Sequence, residues 1–66
     1  MKQAELLKLQ ERIVFLARLK ATGSVSALAG TLEIHPRTVK RLVKRIRERG
    51  IPIRYSFARG TYVLDD

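Results

Sequence analysis

Basic side chains recur at helical spacing between His35 and Arg59, and they are the residues of this chain best suited to binding chemistry. That segment holds nine lysines and arginines and one acidic residue, Glu48, whereas the rest of the chain carries five residues of each sign. The formal net charge of +8 therefore lies in one contiguous region. Ammonium and guanidinium groups concentrated in this way attract anions, so the charge pattern predicts a polyanionic partner.

Catalytic and metal-binding residues are scarce in the sequence. There is no cysteine, which excludes disulfides and thiolate metal sites, and His35 is the only histidine. The terminal pair Asp65-Asp66 has the position of a frayed end rather than of an acid–base site. Because there is no evident nucleophile, metal set or phosphate-cradling loop, the sequence predicts no enzyme, no metal, no cofactor and no small-molecule ligand.

The length of 66 residues allows one domain, residues 1–66, with a core worth about 3–5 kcal/mol of net stability. A hydrophobic content of 45% is too high for a disordered basic tail. No apolar run reaches the roughly 18–20 residues that span a bilayer, and the first residues lack the pattern of a secretory signal. We therefore expect a folded cytoplasmic protein, associated with the nucleoid, and no membrane partner.

Helical periodicity predicts two helices in the N-terminal half of the chain. The first covers about residues 3–21, and Thr22-Gly23 is expected to end it because glycine readily adopts a left-handed turn. Its apolar stripe consists of Leu6, Leu9, Ile13 and Leu16. The second helix covers about residues 25–32 and follows Ser24, whose hydroxyl is expected to cap it.

The third predicted helix, about residues 36–49, has the clearest amphipathic pattern. Pro36 suits its first position, where a missing N–H costs nothing, and Gly50 and Pro52 end it. Its apolar residues fall at positions i, i+3, i+4 and i+7, namely Val39, Leu42, Val43 and Ile46. The basic residues of this helix therefore face solvent.

After Pro52 the apolar period changes from 3.6 to 2, which predicts a β-hairpin over about residues 52–64. We expect a two-residue loop at Arg59-Gly60. The facing pairs are then Phe57 with Tyr62 and Tyr55 with Leu64. These aromatic rings are expected to cover the open end of the helical core, and a base-stacking platform for single strands is the alternative. The elements predict a small α+β fold with three helices and a C-terminal two-stranded hairpin.

Over about residues 11–64 the chain resembles the winged helix-turn-helix domain of many bacterial transcription regulators. The motifs, with a tight turn after the first, are Leu28-Ala29, Arg37-Thr38-Val39-Lys40-Arg41, Gly50-Ile51-Pro52-Ile53 and Gly60-Thr61-Tyr62-Val63-Leu64. The segment Lys20-Ala21-Thr22-Gly23 is similar to short stand-alone members. The resemblance implies a helix-turn-helix core, a β-hairpin wing and double-stranded DNA as partner. In that motif the recognition helix, here the third, enters the major groove.

Two residues depart from the pattern of that family. Glu33 occupies the turn position that commonly holds glycine, which predicts a less left-handed backbone there. His35 replaces the serine that commonly caps the recognition helix, and we expect its imidazole to form the cap. The start of the recognition helix depends on both positions.

If the third helix enters the major groove, the position of each polar residue in the predicted fold assigns it a role in DNA binding. The residues nearest the start of its outer face are expected to contact base edges, and they are Arg37, Thr38 and Arg41. Contacts to the DNA backbone are expected from Ser24, Ser26, His35, Lys40, Lys44, Arg45 and Arg54. Arg59 is expected to enter the minor groove from the tip of the wing. Arg47 and Arg49 are assigned instead to the C-terminal dipole of the helix.

Three apolar residues of helix one lie outside its core stripe: Leu7, Val14 and Phe15. Leu7 and Val14, seven residues apart, form a seam that predicts a homodimer through this helix. The alternatives are that the N-terminal turns fold back over the wing, or that the helix is tilted.

Sequence-specific binding of double-stranded DNA, in a regulator of transcription, is the function that these observations favour. Three other classes stay open: a module that docks an acidic protein partner, nonspecific nucleic-acid binding, and double-stranded RNA binding. Loss of preference for particular duplexes on replacing Arg37 or Arg41 would favour sequence-specific DNA binding over a docking module and over nonspecific binding. Direct competition between RNA and DNA duplexes would test double-stranded RNA binding.

Overall fold

In the computed structural model, which describes residues 3–65, three helices are followed by a two-stranded antiparallel hairpin. The elements are α1 (Gln3–Arg18), α2 (Val25–Leu32), α3 (Pro36–Glu48), β1 (Ile53–Ser56) and β2 (Thr61–Leu64). The predicted α+β class and the order of the elements are confirmed. The bounds of α2 agree with the prediction, and α3 ends one residue earlier than expected.

The first helix is shorter than predicted, because it ends at Arg18 rather than near residue 21. The chain turns at Lys20, whose backbone is left-handed with φ 57°. Two hydrogen bonds close this turn, from Lys20 N–H to the Ala17 carbonyl at 3.0 Å and from Ala21 N–H to the Leu16 carbonyl at 2.9 Å. The carbonyls of the last turn are thus satisfied before Gly23 is reached. The expectation that Thr22-Gly23 ends the helix is wrong.

The second helix begins at a serine cap and ends at a left-handed glutamate. The Ser24 Oγ atom accepts a hydrogen bond from the Ala27 N–H at 3.1 Å, so the predicted cap is confirmed. Glu33 has φ 57° and ψ 42°, so the prediction of a less left-handed backbone is wrong. The Ile34 N–H donates to the Ala29 carbonyl at 3.0 Å and closes the turn. A non-glycine residue in this conformation is strained by about 1–2 kcal/mol.

The hydrophobic core lies where the apolar stripes of the three helices meet the hairpin. Its buried residues are Ile13, Ala17, Leu28, Ala29, Leu32, Val39, Leu42, Val43, Ile46, Ile53 and Tyr62. All four apolar residues predicted to face inward on the third helix belong to this cluster. Ile34, in the turn between α2 and α3, is half-buried and packs against it. These contacts fix α3 with its basic side toward solvent.

The strands of the hairpin pair in a register that differs from the predicted one. Tyr55 faces Tyr62 and Ser56 faces Thr61, so the tip is a four-residue loop over residues 57–60 rather than a two-residue loop. The Ser56 carbonyl accepts a hydrogen bond from the Gly60 N–H at 2.8 Å, which closes this wider loop.

The aromatic residues of the hairpin divide between core and solvent. Tyr62 is buried and Tyr55 half-buried, as expected of rings that cover the helices. Phe57 lies beyond the end of β1 and is 89% exposed, so its predicted packing over the core is wrong. The reason is the wider loop, which removes Phe57 from the strand. Burial raises the pKa of Tyr62, whose phenol stays neutral inside the fold.

Thr22 and Thr61 join the hairpin to the loop between α1 and α2 through a buried hydrogen-bond network. Their hydroxyl oxygens lie 2.8 Å apart. The Thr61 Oγ1 atom accepts from the N–H groups of Thr22 at 3.0 Å and Gly23 at 3.1 Å. In return, the Thr22 Oγ1 atom accepts from the Tyr62 N–H at 2.8 Å. Three backbone donors are therefore satisfied by two side chains.

Thr61→Val is expected to lower the free energy of unfolding by about 2–4 kcal/mol, measured by urea denaturation. The substitution conserves shape but leaves the N–H groups of Thr22 and Gly23 without their acceptor, and each unsatisfied buried donor costs about 1–3 kcal/mol. Thr61→Ser is the matched control, because it keeps the acceptor and should cost less than half as much. Equal effects of the two substitutions would contradict this role of the hydroxyl.

Candidate nucleic-acid interface

The start of α3 is fixed by a histidine cap. The His35 Nδ1 atom accepts a hydrogen bond from the Arg37 N–H at 3.0 Å, and Pro36 occupies the first helical position. The predicted capping role of His35 is therefore confirmed. Because the cap defines the first turn, it also defines which side chains project from the N-terminal end of the helix, beginning with Arg37.

The solvent-facing side of α3 carries a continuous row of cations, which we call the basic face. Its members are Arg37, Lys40, Arg41, Lys44 and Arg45, all of them exposed. They are brought together because the residues between them, such as Val39 and Leu42, are buried in the core. Five like charges on little more than two helical turns repel one another, and a polyanion relieves that repulsion.

Thr38 is less accessible than the arginines with which it was grouped. It is half-buried and lines a shallow depression on the flank of α3, together with Arg41, Arg45 and Leu6 of α1. The structure therefore brings Thr38 and Arg41 to the same depression, while Arg37 stands one turn before Arg41 on the outer face.

The two serines assigned to anion contacts lie at the N-terminal end of α2. Ser24 and Ser26 are both exposed. The Ser24 oxygen already accepts from the Ala27 N–H, and its hydroxyl proton stays available to an external acceptor. The positive end of the helix dipole lies at the same place, which adds to the attraction for an anion.

Arg47 and Arg49 bind within the protein rather than extending the basic face. The Arg47 Nε atom donates to the Ile53 carbonyl at 2.9 Å and connects α3 to β1. The Arg49 Nη1 atom donates to the Gln10 Oε1 atom at 3.0 Å and connects the end of α3 to α1. The sequence excluded both arginines from the interface because they lie near the helix C-terminus, but it did not indicate these partners.

The two arginines of the hairpin differ in their surroundings. Arg54 lies on β1 with its Nε atom 3.6 Å from the Asp65 Oδ1 atom, in a pair exposed to solvent. Such a pair contributes at most about 1 kcal/mol, so Arg54 can leave Asp65 for another anion at little cost. Arg59 lies in the exposed tip. Asp66, the other half of the expected frayed end, lies outside the described residues.

The apolar surface of α1 differs in part from the predicted seam. Leu7 is 44% exposed and Phe15 is 61% exposed, as the sequence predicts. Val14 is half-buried and packs against the core, so it is less exposed than the sequence predicts. Arg49 and Ile51, which follow α3, line the same depression as Val14 and help to cover it.

Leu19, in the turn after α1, is 59% exposed, and the sequence analysis did not single it out. It follows Phe15 by four residues. Its N–H donates to the Phe15 carbonyl at 3.3 Å, so helical spacing from Phe15 could have indicated its exposure.

Comparison with known proteins identifies no relative, since no family model, curated protein or solved structure matches this chain. The basic face is therefore interpreted from its own residues. Among residues 3–65, no group of three or more His, Cys, Asp and Glu side chains is placed to hold a metal ion. Over the same range, no helix combines the length and the apolar character needed to cross a membrane.

His35→Ala is expected to lower the free energy of unfolding by about 1 kcal/mol, since it removes the acceptor of the Arg37 N–H. Urea denaturation measures the change. His35→Ser supplies a different capping oxygen at the same position and should restore most of the loss. A His35→Ala variant as stable as the parent protein would show that the cap contributes nothing.

Proposed function

We propose that this protein binds double-stranded DNA in a sequence-specific manner and regulates transcription. The observation that carries the proposal is the basic face of α3, which five exposed cations form on the side opposite a fully buried apolar stripe. The proposal places α3 in the major groove as the recognition helix, with α2 across the phosphate backbone above it. The hairpin takes the part of a wing.

The layout of the elements supports this assignment. Two helices joined by the short turn over residues 33–35 precede an antiparallel hairpin, an order compatible with a winged helix-turn-helix domain. The motifs from Leu28-Ala29 to Gly60-Thr61-Tyr62-Val63-Leu64 resemble that family in the same order. The small core packs α2 against α3 and leaves the basic face exposed.

The cations of the basic face divide into two groups by their position on α3. Arg37 and Arg41, which lie opposite the apolar stripe within the first two turns, are assigned to base edges, where an arginine can bind guanine through two hydrogen bonds. Lys40, Lys44 and Arg45 are assigned to phosphates, which hold the protein in register without reading sequence. The exposed serines at the start of α2 add phosphate contacts. About four to six phosphate contacts give a slope of log affinity against log salt near −4 to −5.

Such a small domain would regulate transcription by occupying its DNA site. A recognition helix that fills the major groove excludes other proteins from the same base pairs, and the wing extends the covered length along the backbone. A dimer would contact two half-sites about one helical turn apart.

A homodimer through α1 is the quaternary arrangement that we propose. The exposed side chains of Leu7 and Phe15, two turns apart on one side of α1, favour it. Val14 belongs to the edge of the core, so it would contribute only its exposed part. The apolar area available is small, which predicts weak association that DNA strengthens by bringing two copies together.

Arg37→Ala and Arg41→Ala are expected to weaken binding to a preferred duplex by about 1–3 kcal/mol each and to relax the preference for single base pairs. The preferred duplex is obtained by selection from a randomised library. Lys44→Ala serves as the contrast, since it should weaken all duplexes nearly equally and reduce the salt slope by about 1. Titrations by fluorescence anisotropy at several salt concentrations measure both effects.

A library that yields no preferred duplex, with all three variants behaving alike, would contradict sequence-specific binding. Nonspecific binding or an acidic protein partner would then explain the basic face. Preference for an RNA duplex over a DNA duplex of the same sequence, in direct competition, would assign the face to double-stranded RNA instead.

Light scattering is expected to show a concentration-dependent increase of mass toward that of a dimer, at protein concentrations up to about 100 μM and low salt. Phe15→Ser should abolish the increase because it removes the largest exposed apolar side chain of the seam. Phe57→Ser is the control, since Phe57 is also exposed but lies in the hairpin rather than on α1. A parent protein that stays monomeric over this range would contradict a homodimer in the absence of DNA.

A further inference from the structure

The tip of the hairpin exposes an aromatic ring that neither the core nor the basic face explains. Phe57 is 89% exposed, more than the exposed leucines or Phe15 among the described residues. An exposed phenylalanine forgoes the stabilisation that its burial would give. A partner that covers this ring would recover it.

The ring of Phe57 is held in place by other aromatic residues. It lies edge-on against the ring of Tyr55, with centroids 5.0 Å apart and an interplanar angle of 73°. Tyr55 makes the same kind of contact with Tyr62, at 5.1 Å and 80°. Tyr62 is buried, and its N–H donates to Thr22. Phe57 is therefore the outer end of an aromatic row that begins in the core.

The backbone of the tip is also ordered by its own hydrogen bonds. Both the Gly60 N–H and the Arg59 N–H donate to Ser56, at 2.8 Å to its carbonyl and at 3.3 Å to its Oγ atom. Gly60 is left-handed with φ 65°, which lets the chain return to β2. The loop thus presents Phe57 and the Arg59 cation together, at little entropic cost on binding.

The Thr22–Thr61 network places the tip near the start of α2. Thr61, directly after the tip, accepts hydrogen bonds from Thr22 and Gly23, the residues that precede the Ser24 cap. The tip is therefore close to the exposed serines that we assign to phosphates. Phe57 directly follows Ser56, which pairs with Thr61, so Phe57 lies next to this junction along the hairpin.

We propose that Phe57 acts as a wedge that enters the minor groove of the bound duplex and partly unstacks one base step, while Arg59 binds the phosphate or groove edge beside it. This inference rests on the proposed DNA-binding function. A minor groove offers apolar sugar walls between two rows of phosphates, which matches an aromatic ring beside a cation. Apolar wedges of this kind kink DNA where unstacking is easiest.

We assign DNA rather than a lipid surface as the partner of the tip, because the apolar area of the tip is small. A single exposed aromatic residue buries far too little apolar area to anchor a protein stably at a membrane. On a duplex, by contrast, the wedge adds to the contacts of the basic face and need not bind alone. Steps of pyrimidine followed by purine unstack most easily, so the wedge selects such a step beside the recognition site.

Phe57→Ala is the decisive variant, measured by anisotropy titrations on the preferred duplex at several salt concentrations. It should weaken binding about tenfold at every concentration and leave the salt slope unchanged, because no charge is removed. Arg59→Ala should instead reduce the slope by about 1. Leu19→Ala is the matched control, an exposed apolar residue that belongs neither to the hairpin tip nor to the basic face, and should bind as the parent protein does.

A fluorescent base analogue, 2-aminopurine, placed in turn at the steps flanking the recognition site reports unstacking directly. Its emission should rise at one step on binding of the parent protein and remain unchanged with Phe57→Ala. Circular dichroism checks that the variants are folded, which the exposure of all three residues favours.

Equal affinities for Phe57→Ala and Leu19→Ala, with Arg37→Ala still weaker, would overturn the wedge and leave the proposed function standing. The absence of any emission change with the parent protein at the flanking steps would overturn it as well. If the parent protein binds no duplex, the proposed function and the wedge fail together.

Discussion

The hydrogen bonds between Thr22 and Thr61 are the constraint on which the arrangement of this protein depends. The chain has no cysteine, and its core is small, so few interactions can hold a two-stranded hairpin against three helices. Two buried hydroxyls satisfy three backbone N–H groups, through hydrogen bonds that span 38 to 40 residues of sequence. The network joins the hairpin to the loop before α2. It thereby sets the distance between the start of that helix and the hairpin tip, two of the surfaces assigned to DNA.

The turns that follow the helices form a second constraint, and two of them are strained. Each helix is followed within two residues by a left-handed residue, namely Lys20, Glu33 and Gly50. Only the last is glycine, so the first two turns hold non-glycine residues in a conformation that costs about 1–2 kcal/mol each. The turn at Glu33 fixes the angle between α2 and α3, and His35 then starts α3. The geometry of the basic face thus depends on a strained turn and a cap in succession.

Local patterns predicted most of the fold and the exposure of the basic residues that form the candidate site. The amphipathic period of α3, the caps at Ser24 and His35 and the α+β order are encoded within a few residues, and the structure confirms them. The predicted hairpin register was wrong because loops of two and of four residues both fit the same alternation of apolar and polar residues. The partial burial of Val14 was missed because Arg49 and Ile51, which line the same depression, come from the chain after α3. The assignment of individual cations to bases or phosphates stays a prediction.

The sequence by itself determined which surface is charged, because the period of α3 and the segregation of lysine and arginine are local properties. Tertiary structure decided which polar groups remain free to bind a partner. The sequence sets Arg47 and Arg49 apart from the basic face, but only the fold gives their guanidinium groups the partners Ile53 and Gln10. The tertiary structure also decided that Phe57 is exposed, because the four-residue loop removes it from β1. The physical reason is that a side chain's partners are chosen by folding, and the Gln10–Arg49 contact joins residues 39 apart, beyond the reach of any local pattern.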